Sequence, residues 1–245
     1  VILDYRSFEK FIDEHKVTTA LLPPAYAAYL NPDHMPAFKK VLTGGSVTPV
    51  ALAKRWREKT FHVNAYGPTE DSMIATLWHS YSEHMNHQSI PIGKTIDNHH
   101  AYILNQSNQL LPIGVAGELC LSGIGVARGY LNRPELTKEK FVENPFQPGQ
   151  RMYRTGDLAR WLPDGNIDYV GRIDHQVKIR GYRIELGEIE EALLKVESVQ
   201  EAIVVVREEE EGSKHLCAYF VAERALSLVE MRNDLSKTLP NYMIP

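Results

Sequence analysis

The order of helix-like and strand-like segments in the first third of the chain constrains the fold more than any other feature. Strand-like runs lie at residues 17–22, before Gly44 and before Asn64, and helix-like runs separate them. The helix-like runs lie at about 8–15, 25–30 and 49–58. Strands that alternate with helices at this spacing are typical of a parallel sheet covered by helices. We therefore predict an α/β region built on a largely parallel sheet.

The pattern changes near residue 92. From there to about residue 169, short strand-like runs alternate with Asn, Gly and Pro residues. The segment 162–166, Leu-Pro-Asp-Gly-Asn, is a strong turn signal within this part. We predict a β-rich region here, as a curved sheet or a distorted barrel.

The sequence after residue 173 shows a third residue pattern, typical of mixed helices and strands. Apolar residues recur at helical spacing at Ile189, Leu193 and Val196. Two strand-like runs and a helix-like run follow, at 202–206, 216–221 and about 228–239. The predicted fold class is therefore α/β plus α+β. We expect two domains, an α/β and β-rich one at 1–173 and a compact α+β one at 174–245.

The composition is that of an ordinary globular protein. Hydrophobic residues make up 43% and charged residues 24% of the 245 residues, and the formal net charge is −4. No apolar run approaches the roughly 18 residues of a membrane span, and the first residues do not form a secretory signal. The sequence also lacks the clustered basic residues of a nucleic-acid interface. We expect a cytoplasmic protein that binds neither membranes nor nucleic acid.

The segment most informative about function is Asn64-Ala65-Tyr66-Gly67-Pro68-Thr69-Glu70. Gly67-Pro68 forces a turn after a strand. Thr69 then offers a hydroxyl that can donate to a phosphate oxygen, and Glu70 offers a carboxylate that can bind the accompanying Mg²⁺. The residues alone leave two interpretations open, a phosphate-binding loop and a capped turn.

Three further motifs follow in a fixed order. They are Gly117-Glu118-Leu119-Cys120-Leu121-Ser122-Gly123 with Ala127-Arg128-Gly129-Tyr130, then Tyr153-Arg154-Thr155-Gly156-Asp157-Leu158, then Gly171-Arg172-Ile173-Asp174 with residues 177–185. Together with the first segment they closely resemble the adenylation domains of nonribosomal peptide synthetases, from about residue 5 to residue 245. The resemblance implies part of a large adenylate-forming domain, with a parallel α/β sheet and a β-rich subdomain, followed by a small mobile C-terminal domain. It also implies that an upstream phosphate loop and a downstream lysine are missing from this sequence.

The resemblance implies ATP-dependent activation of an amino acid as its aminoacyl adenylate, with Mg²⁺. The acyl group would then pass to the phosphopantetheine thiol of a peptidyl carrier domain, and a neighbouring condensation domain is a further expected partner. Such chemistry depends on positioning and charge stabilisation rather than on an enzyme nucleophile. In agreement, the sequence contains no complete nucleophile elbow.

The resemblance also implies roles for the residues of the first segment. Asn64 would hydrogen-bond the adenine edge and Tyr66 would stack on its face, with Ala65 and Gly67 beside them in the nucleotide site. Thr69 and Glu70 would be the catalytic pair. Thr69 would contact the α-phosphate, and Glu70 would bind Mg²⁺.

A second group of nucleotide-binding residues is implied farther along the chain. Asp157 would bind the ribose hydroxyls through its two carboxylate oxygens. Arg172 would assist at the ribose and phosphate, and Tyr169 would line the same cleft. Lys178 would also bind the nucleotide, although a strand lysine can equally be an exposed charge. Asp174 would be the hinge about which the small domain rotates.

The resemblance places six residues at the pocket for the substrate side chain, and none of them is charged. They are Leu21, Leu42, Gly44, Ala65, Met73 and Ile74. A charged substrate side chain would be costly to bury without a partner. We therefore expect a medium-to-large hydrophobic amino acid, with aliphatic types slightly ahead of aromatic ones.

Two alternatives remain open. One is an acyl- or aryl-activating ligase of the same superfamily, in which Lys-Asp is common where this chain has Ile173-Asp174. The other is a non-catalytic nucleotide-binding domain. Substrate-dependent pyrophosphate exchange separates the first from the amino-acid-activating enzyme, and nucleotide-binding calorimetry tests the second.

Overall fold

A computed structural model describes residues 4–80, 89–173, 176–179, 182–208, 214–224 and 226–245. The chain divides into two compact units, Val1–Asp174 and His175–Pro245. The expected hinge residue, Asp174, lies outside the described residues. In the part that the structure describes, no helix is long and apolar enough to cross a membrane.

The first unit begins with a five-stranded mixed sheet in the order β1-β2-β3-β4-β5. Its strands are β1 (Thr19–Leu22), β2 (Lys40–Gly44), β3 (Phe61–Tyr66), β4 (Thr76–His79) and β5 (Lys94–Thr95). Three helices and a 3₁₀ turn connect or flank them, α1 (Tyr5–Glu14), α2 (Pro24–Ala27), the 3₁₀ turn Pro32–His34, and α3 (Val50–Arg57).

The sheet is parallel only in its first half. Strands β1, β2 and β3 pair in parallel, as predicted, whereas β4 and β5 pair antiparallel. A parallel connection needs a crossover of about a dozen residues or more, usually helical. The loop between Tyr66 and Thr76 is shorter and contains no helix, so β4 returns beside β3 in the opposite direction. The predicted parallel pairing is therefore confirmed for β1, β2 and β3, and β4 and β5 extend the sheet in antiparallel fashion.

Strand β3 is longer than the sequence suggested. It runs through Asn64 and Ala65 to Tyr66, so the loop begins at Gly67. Hydrogen bonding to β2 on one side and to β4 on the other extends the strand. Consequently Asn64 and Tyr66 are buried strand residues held by a ladder rather than members of a loop.

Helix α3 anchors the core beneath this sheet. Its residues Leu52, Ala53 and Trp56 are buried at the spacing of one helical face. Trp56 is fully buried, and its indole Nε1 donates to the Ala27 carbonyl oxygen at 3.2 Å. Leu52 and Trp56 pack in one core with Ile12, Leu22, Ala27, Leu30, Met35, Phe38 and Val41. Ala53 packs in a separate cluster with Trp78 and Ile90.

The second half of the first unit is β-rich, as predicted. Strand order is β10-β9-β7-β6, with β8 beside β9, and all pairs are antiparallel. The elements are β6 (His99–Leu104), β7 (Gly117–Gly123), α4 (Pro134–Lys140), β8 (Phe141–Glu143), β9 (Arg151–Trp161) and β10 (Ile167–Arg172). The predicted turn at 162–166 connects β9 to β10, closed by a hydrogen bond from the Gly165 amide to the Leu162 carbonyl at 3.0 Å.

The two sheets of this unit share a core. Tyr66, Ala75 and Ile92 from the first sheet and its loops pack with Leu119 and Ala159 of the second. A further link joins the Ile92 amide to the Ile167 carbonyl at 2.8 Å. The end of β3 is thereby held against β7, β9 and β10, which determines where the candidate site forms.

The second unit is the predicted small α+β structure. Its elements are β11 (Val177–Ile179), β12 (Tyr182–Ile184), α5 (Leu186–Leu194), β13 (Val199–Glu208), β14 (Lys214–Ala222), α6 (Leu228–Leu235) and a 3₁₀ turn at Asn241–Met243. Ile189 and Leu193 of α5 are fully buried, as their spacing predicted, whereas Val196 follows the end of the helix. Helix α6 ends four residues earlier than expected, in a turn before Leu239.

The backbone at Gly93, just before β5, lies very close to the backbone of strand β4. A Cβ at Gly93, where φ is +92°, would lie 1.9 Å from the Leu77 carbonyl oxygen. We expect Gly93→Ala to lower the free energy of unfolding by about 3 kcal/mol or more, because it adds a backbone clash to an unfavourable φ. Chemical denaturation measures this loss.

Gly114→Ala is the matched control, because Gly114 has a φ of +84° with no atom within 4 Å of an added Cβ. It should cost only about 1 kcal/mol, the conformational part alone. Equal losses in the two variants would show that the approach to Leu77 is not tight.

Candidate functional site

A buried carboxylate joins the end of β3 to the β9–β10 hairpin. The Tyr66 hydroxyl donates to Asp157 Oδ2 at 2.5 Å, and Arg172 Nη1 donates to Asp157 Oδ1 at 2.6 Å. The exposed fractions are 7% for Tyr66, 3% for Asp157 and 8% for the Arg172 side chain. These three residues form what we call the Asp157 cluster, and they come from separate motifs of the sequence.

A β-bulge creates the pairing between Arg172 and Asp157. The register of β10 against β9 shifts between Tyr169 and Gly171, so that Arg172 lies directly opposite Asp157. If the register continued from Tyr169 without the shift, Gly171 would lie opposite Asp157. Bulges re-aim side chains in this way near functional sites, and here the bulge supplies the buried carboxylate with its positive partner.

The charges of the cluster are balanced within it. A buried carboxylate is costly unless it is paired and hydrogen-bonded, and Arg172 and Tyr66 meet both needs. Burial, and then the nearby negative charge of Asp157, raise the pKa of Tyr66 well above its ordinary value. Tyr66 therefore remains a protonated donor to Asp157 at neutral pH.

The other expected nucleotide-binding residues of this unit lie nearby. The Tyr169 ring is 6.5 Å from the Tyr66 ring, centroid to centroid. The Asn64 amide is buried, with its Oδ1 accepting from Thr48 and its Nδ2 donating to the Pro91 carbonyl, each at 2.8 Å. Lys178 belongs to strand β11 of the second unit, and its side chain lies outside the described part of the structure.

The loop after β3 presents Thr69 and Glu70. Thr69 is exposed and Glu70 is half-buried. The Tyr130 hydroxyl donates to Glu70 Oε1 at 2.7 Å, and the Ala127 amide donates to the Glu70 carbonyl at 2.8 Å. Tyr130 is the last residue of the second sequence motif, and its place in that motif is the available signal for this contact.

Residues distant in the sequence hold the rest of this loop through a hydrogen bond and a close carboxylate–imidazole contact. Ser72 and Met73 have φ values of 53° and 75°, and the Ser72 hydroxyl donates to the Gly125 carbonyl at 2.9 Å. The Asp71 carboxylate is fully buried, 3.4 Å from His99 Nε2. Burial raises the pKa of Asp71, and His99 partly offsets that shift. Contacts across the chain therefore fix the backbone that carries Thr69 and Glu70.

Four of the six expected substrate-pocket residues share one face of the first sheet. Leu21 pairs with Leu42, and Gly44 with Ala65, in the parallel ladders. A Cβ added at Gly44 would lie 3.5 Å from Leu21 Cδ1 and 3.6 Å from the Ala65 Cβ.

The other two expected pocket residues, Met73 and Ile74, follow in the loop beyond β3. Backbone atoms of Met73, Ile74 and Ala75 lie within 2.8 Å of where a Cβ at Gly67 would be, so this position requires glycine. Met73 is 62% exposed. None of the six residues carries a charge.

A chain of buried polar side chains lies beside Asn64 and was not foreseen. His62 Nε2 is 2.9 Å from Thr43 Oγ1, which is 2.8 Å from Thr48 Oγ1. Thr48 in turn bonds Asn64, so four residues form what we call the β2–β3 polar chain. His62 and Asn64, polar residues at alternate positions of β3, were the available signal. Burial lowers the pKa of His62 to about 4.

The comparisons with known proteins agree on one family. The AMP-binding enzyme family matches residues 2–131, more than half of the chain. Tyrocidine synthase 1 of Brevibacillus parabrevis is 50% identical over 244 residues, which are 100% of this chain and 22% of that protein.

Two solved structures are similar along almost the whole chain. NpsA-ThdA, an artificially fused Adenylation-PCP di-domain NRPS from Klebsiella oxytoca, has 29% identity and a TM-score of 0.83, with coverage of 99% of this chain and 46% of that one. The adenylation domain AlmE of Vibrio cholerae, in complex with glycyl-adenosine-5'-phosphate, has 28% identity and a TM-score of 0.86, with coverage of 98% and 47%.

The chain belongs to the AMP-binding enzyme family, and its resemblance to the adenylation domains of nonribosomal peptide synthetases is confirmed. The predicted fold class is confirmed with it. The chain spans about 22% of the length of Tyrocidine synthase 1 and just under half of the two solved chains.

The buried His62 predicts how stability depends on pH. Its pKa is about 4 in the folded chain against 6.5 when unperturbed, so the unfolded chain binds the proton first on acidification. This contribution to stability is complete above pH 6.5 and is lost as the pH falls toward 4. We expect His62→Gln to remove about 2 kcal/mol of the decline in unfolding free energy between pH 7 and pH 4.5.

Denaturant titrations at both pH values provide the measurement. His100→Gln is the control, because His100 is exposed. If the His62 variant kept the full acid-dependent decline, His62 would not be held neutral by burial.

Proposed function

We propose that this chain is part of an enzyme that activates an amino acid with ATP, forming an aminoacyl adenylate and then transferring the acyl group to a carrier-bound phosphopantetheine thiol. One observation carries the proposal: the buried Asp157 cluster lies at the end of the strand that leads into the Thr69–Glu70 loop. A ribose-binding carboxylate and a phosphate-binding loop are the two parts that a nucleotide site needs.

Asp157 is suited to hold the ribose. Each carboxylate oxygen can accept more than one hydrogen bond, and each already accepts one from within the cluster. The internal bonds to Tyr66 and Arg172 fix the carboxylate plane, so ribose hydroxyls would meet an acceptor that needs no reorganisation. The Tyr66 ring, held through its own hydroxyl, would provide the surface on which adenine stacks.

The residues present also fit Mg²⁺ bound together with ATP. Mg²⁺ commonly takes one or two carboxylates from the protein and completes its shell with phosphates and water. Tyr130 orients the Glu70 carboxylate, and Glu70 adjoins Thr69 in the loop. When bound, the metal would neutralise phosphate charge, while the Thr69 hydroxyl would donate to an α-phosphate oxygen.

The reaction needs no covalent bond to this chain. The substrate carboxylate attacks the α-phosphorus, the bond to the pyrophosphate oxygen breaks, and pyrophosphate leaves with the electron pair. The contribution of the protein is then to align the reactants and stabilise charge. Asp157, Tyr66 and Asn64 would hold the nucleoside, and Thr69 and Glu70 would hold the phosphates.

The proposed substrate is a medium-to-large hydrophobic amino acid. The uncharged surface formed by Leu21, Leu42, Gly44 and Ala65 supports this assignment, since a charged side chain would be buried there without a partner. The proposed partners are a peptidyl carrier domain, as in the Adenylation-PCP di-domain NpsA-ThdA, and a neighbouring condensation domain.

Substitution of Asp157 tests the nucleotide site. Asp157→Ala should weaken ATP binding about ten- to a hundredfold, because it removes charge-assisted hydrogen bonds to the ribose. Glu70→Gln should instead raise the Mg²⁺ concentration needed for half-saturation. Calorimetric titration of this chain with ATP, at several Mg²⁺ concentrations, measures both effects.

Asp164→Ala is the control for this test, because Asp164 is an exposed carboxylate in the turn of the same hairpin. Melting curves must accompany the titrations, since Asp157→Ala removes a carboxylate that pairs with the buried Arg172 side chain. A folded Asp157 variant with normal ATP affinity would refute the ribose assignment.

Amino-acid-dependent pyrophosphate exchange tests the proposed substrate. The protein that carries this chain should exchange fastest with aliphatic amino acids of the size of Leu. Neighbouring aliphatic substrates should be poorly separated, because one methylene changes binding by only about 1–3 kcal/mol. Strongest exchange with Lys, Asp or Glu would contradict the assignment, and exchange only with acyl or aryl acids would favour the other ligase class.

A further inference from the structure

The β2–β3 polar chain contains more buried polar groups than strand pairing requires. The exposed fractions are 0% for Thr43 and His62, 2% for Thr48 and 4% for Asn64. The hydrogen bonds run in series from His62 through Thr43 and Thr48 to the Asn64 amide. Such a series can be satisfied only if every hydroxyl proton has one definite direction.

The direction is set at the Asn64 end. Asn64 Nδ2 lies 2.8 Å from the Pro91 carbonyl oxygen, which only accepts, so the amide nitrogen must face that carbonyl. Asn64 Oδ1 therefore faces Thr48, and the single hydroxyl proton of Thr48 must be donated to it. Thr48 then has no proton left for its other neighbour in the chain.

The remaining protons follow in turn. Because the single proton of Thr48 is donated to Asn64, the 2.8 Å contact between the two hydroxyls requires Thr43 to be the donor. Asn64 Oδ1 lies 3.5 Å from Thr43 Oγ1, beyond the usual length of an O–H···O bond, and does not compete for this proton. Thr43 can then only accept from His62, so the imidazole must carry its proton on Nε2. The geometry leaves His62 Nδ1 bare, and that atom has no hydrogen-bond partner among the described residues.

This assignment agrees with the general cost of burying polar groups. A buried bare acceptor is better tolerated than an orphaned N–H donor, and the opposite tautomer would place such a donor at Nδ1. A charged imidazole would also have a proton there, and burial disfavours it by lowering the pKa of His62. Geometry and electrostatics therefore select the same neutral form.

We propose that His62 is a positioning residue for nucleotide binding: its Nε2–H begins a one-directional series of hydrogen bonds through Thr43 and Thr48 that fixes the Asn64 amide for the base. This inference rests on the proposed function, in which Asn64 contacts adenine. Asn64 Oδ1 accepts from Thr48, and one N–H of Nδ2 donates to the Pro91 carbonyl. The second N–H of Nδ2 is then the group that would donate to a nitrogen atom of the base.

Threonine substitutions offer an isosteric test of the series. Thr48→Val removes the hydroxyl but keeps the shape of the side chain, whereas Thr48→Ser keeps the hydroxyl. We expect Thr48→Val and His62→Leu each to weaken ATP binding to this chain about three- to tenfold, as expected for the loss of one orienting hydrogen bond. Thr48→Ser should bind ATP within about twofold of the unsubstituted chain, a change below the loss of one hydrogen bond.

The effect must pass through Asn64 if His62 positions the base. In an Asn64→Ala background, His62→Leu should therefore cause no further loss of ATP affinity, as a double-mutant cycle would show. Melting curves identify any variant that fails to fold. Additive losses in the cycle would overturn the proposal, because they would place the action of His62 elsewhere.

A spectroscopic measurement tests the series without ligand. Nitrogen-15 NMR of histidine-labelled chain should show the His62 ring neutral at pH 7 with its proton on Nε2, and Thr48→Val should alter that signal. A proton on Nδ1 would overturn the proposal. Failure of the unsubstituted chain to bind ATP would refute the proposed function and this inference with it, whereas normal binding by both Thr48→Val and His62→Leu would refute this inference alone.

Discussion

The candidate site depends on one buried negative charge. The Asp157 carboxylate is stabilised in the interior by Arg172 and Tyr66: removal of Arg172 would take away its opposite charge, and removal of Tyr66 would take away a hydrogen-bond donor. The bond to Tyr66 ties the end of β3 to the β9–β10 hairpin, and the bond to Arg172 joins the two strands of that hairpin. The pairing of this carboxylate therefore joins the two sheets beside their shared apolar core, and the nucleotide site is proposed at that junction.

In the loop beyond β3, the candidate functional residues and the residues that hold them come from different parts of the sequence. Thr69 and Glu70 are local to the strand end, but their backbone is held by residues more than fifty positions away. Tyr130 bonds the Glu70 side chain, Ala127 bonds its carbonyl, and Gly125 accepts from Ser72. A loop fixed from outside can present a hydroxyl and a carboxylate to phosphate without ordering them on binding, which is the advantage of preorganisation.

Local patterns in the sequence were sufficient for most elements and for the motif residues. The turn at 162–166 and the buried face of α5 follow from residue types at short spacing. The antiparallel return of β4, the bulge before Gly171 and the β2–β3 polar chain do not, because each depends on which strands pair. The resemblance to known motifs identified Asp157 and Tyr66 separately, but only the fold shows that they bond each other.

If the preorganised Asp157 carboxylate binds ribose, its loss and the loss of the ribose hydroxyls must be coupled, and a thermodynamic cycle measures that coupling. Calorimetry would compare AMP with 2',3'-dideoxy-AMP, in the unsubstituted chain and in Asp157→Asn. We expect the unsubstituted chain to prefer AMP by about ten- to a hundredfold, and the variant to distinguish the two ligands by less than about threefold. The same preference for AMP in both proteins would contradict ribose binding by this carboxylate.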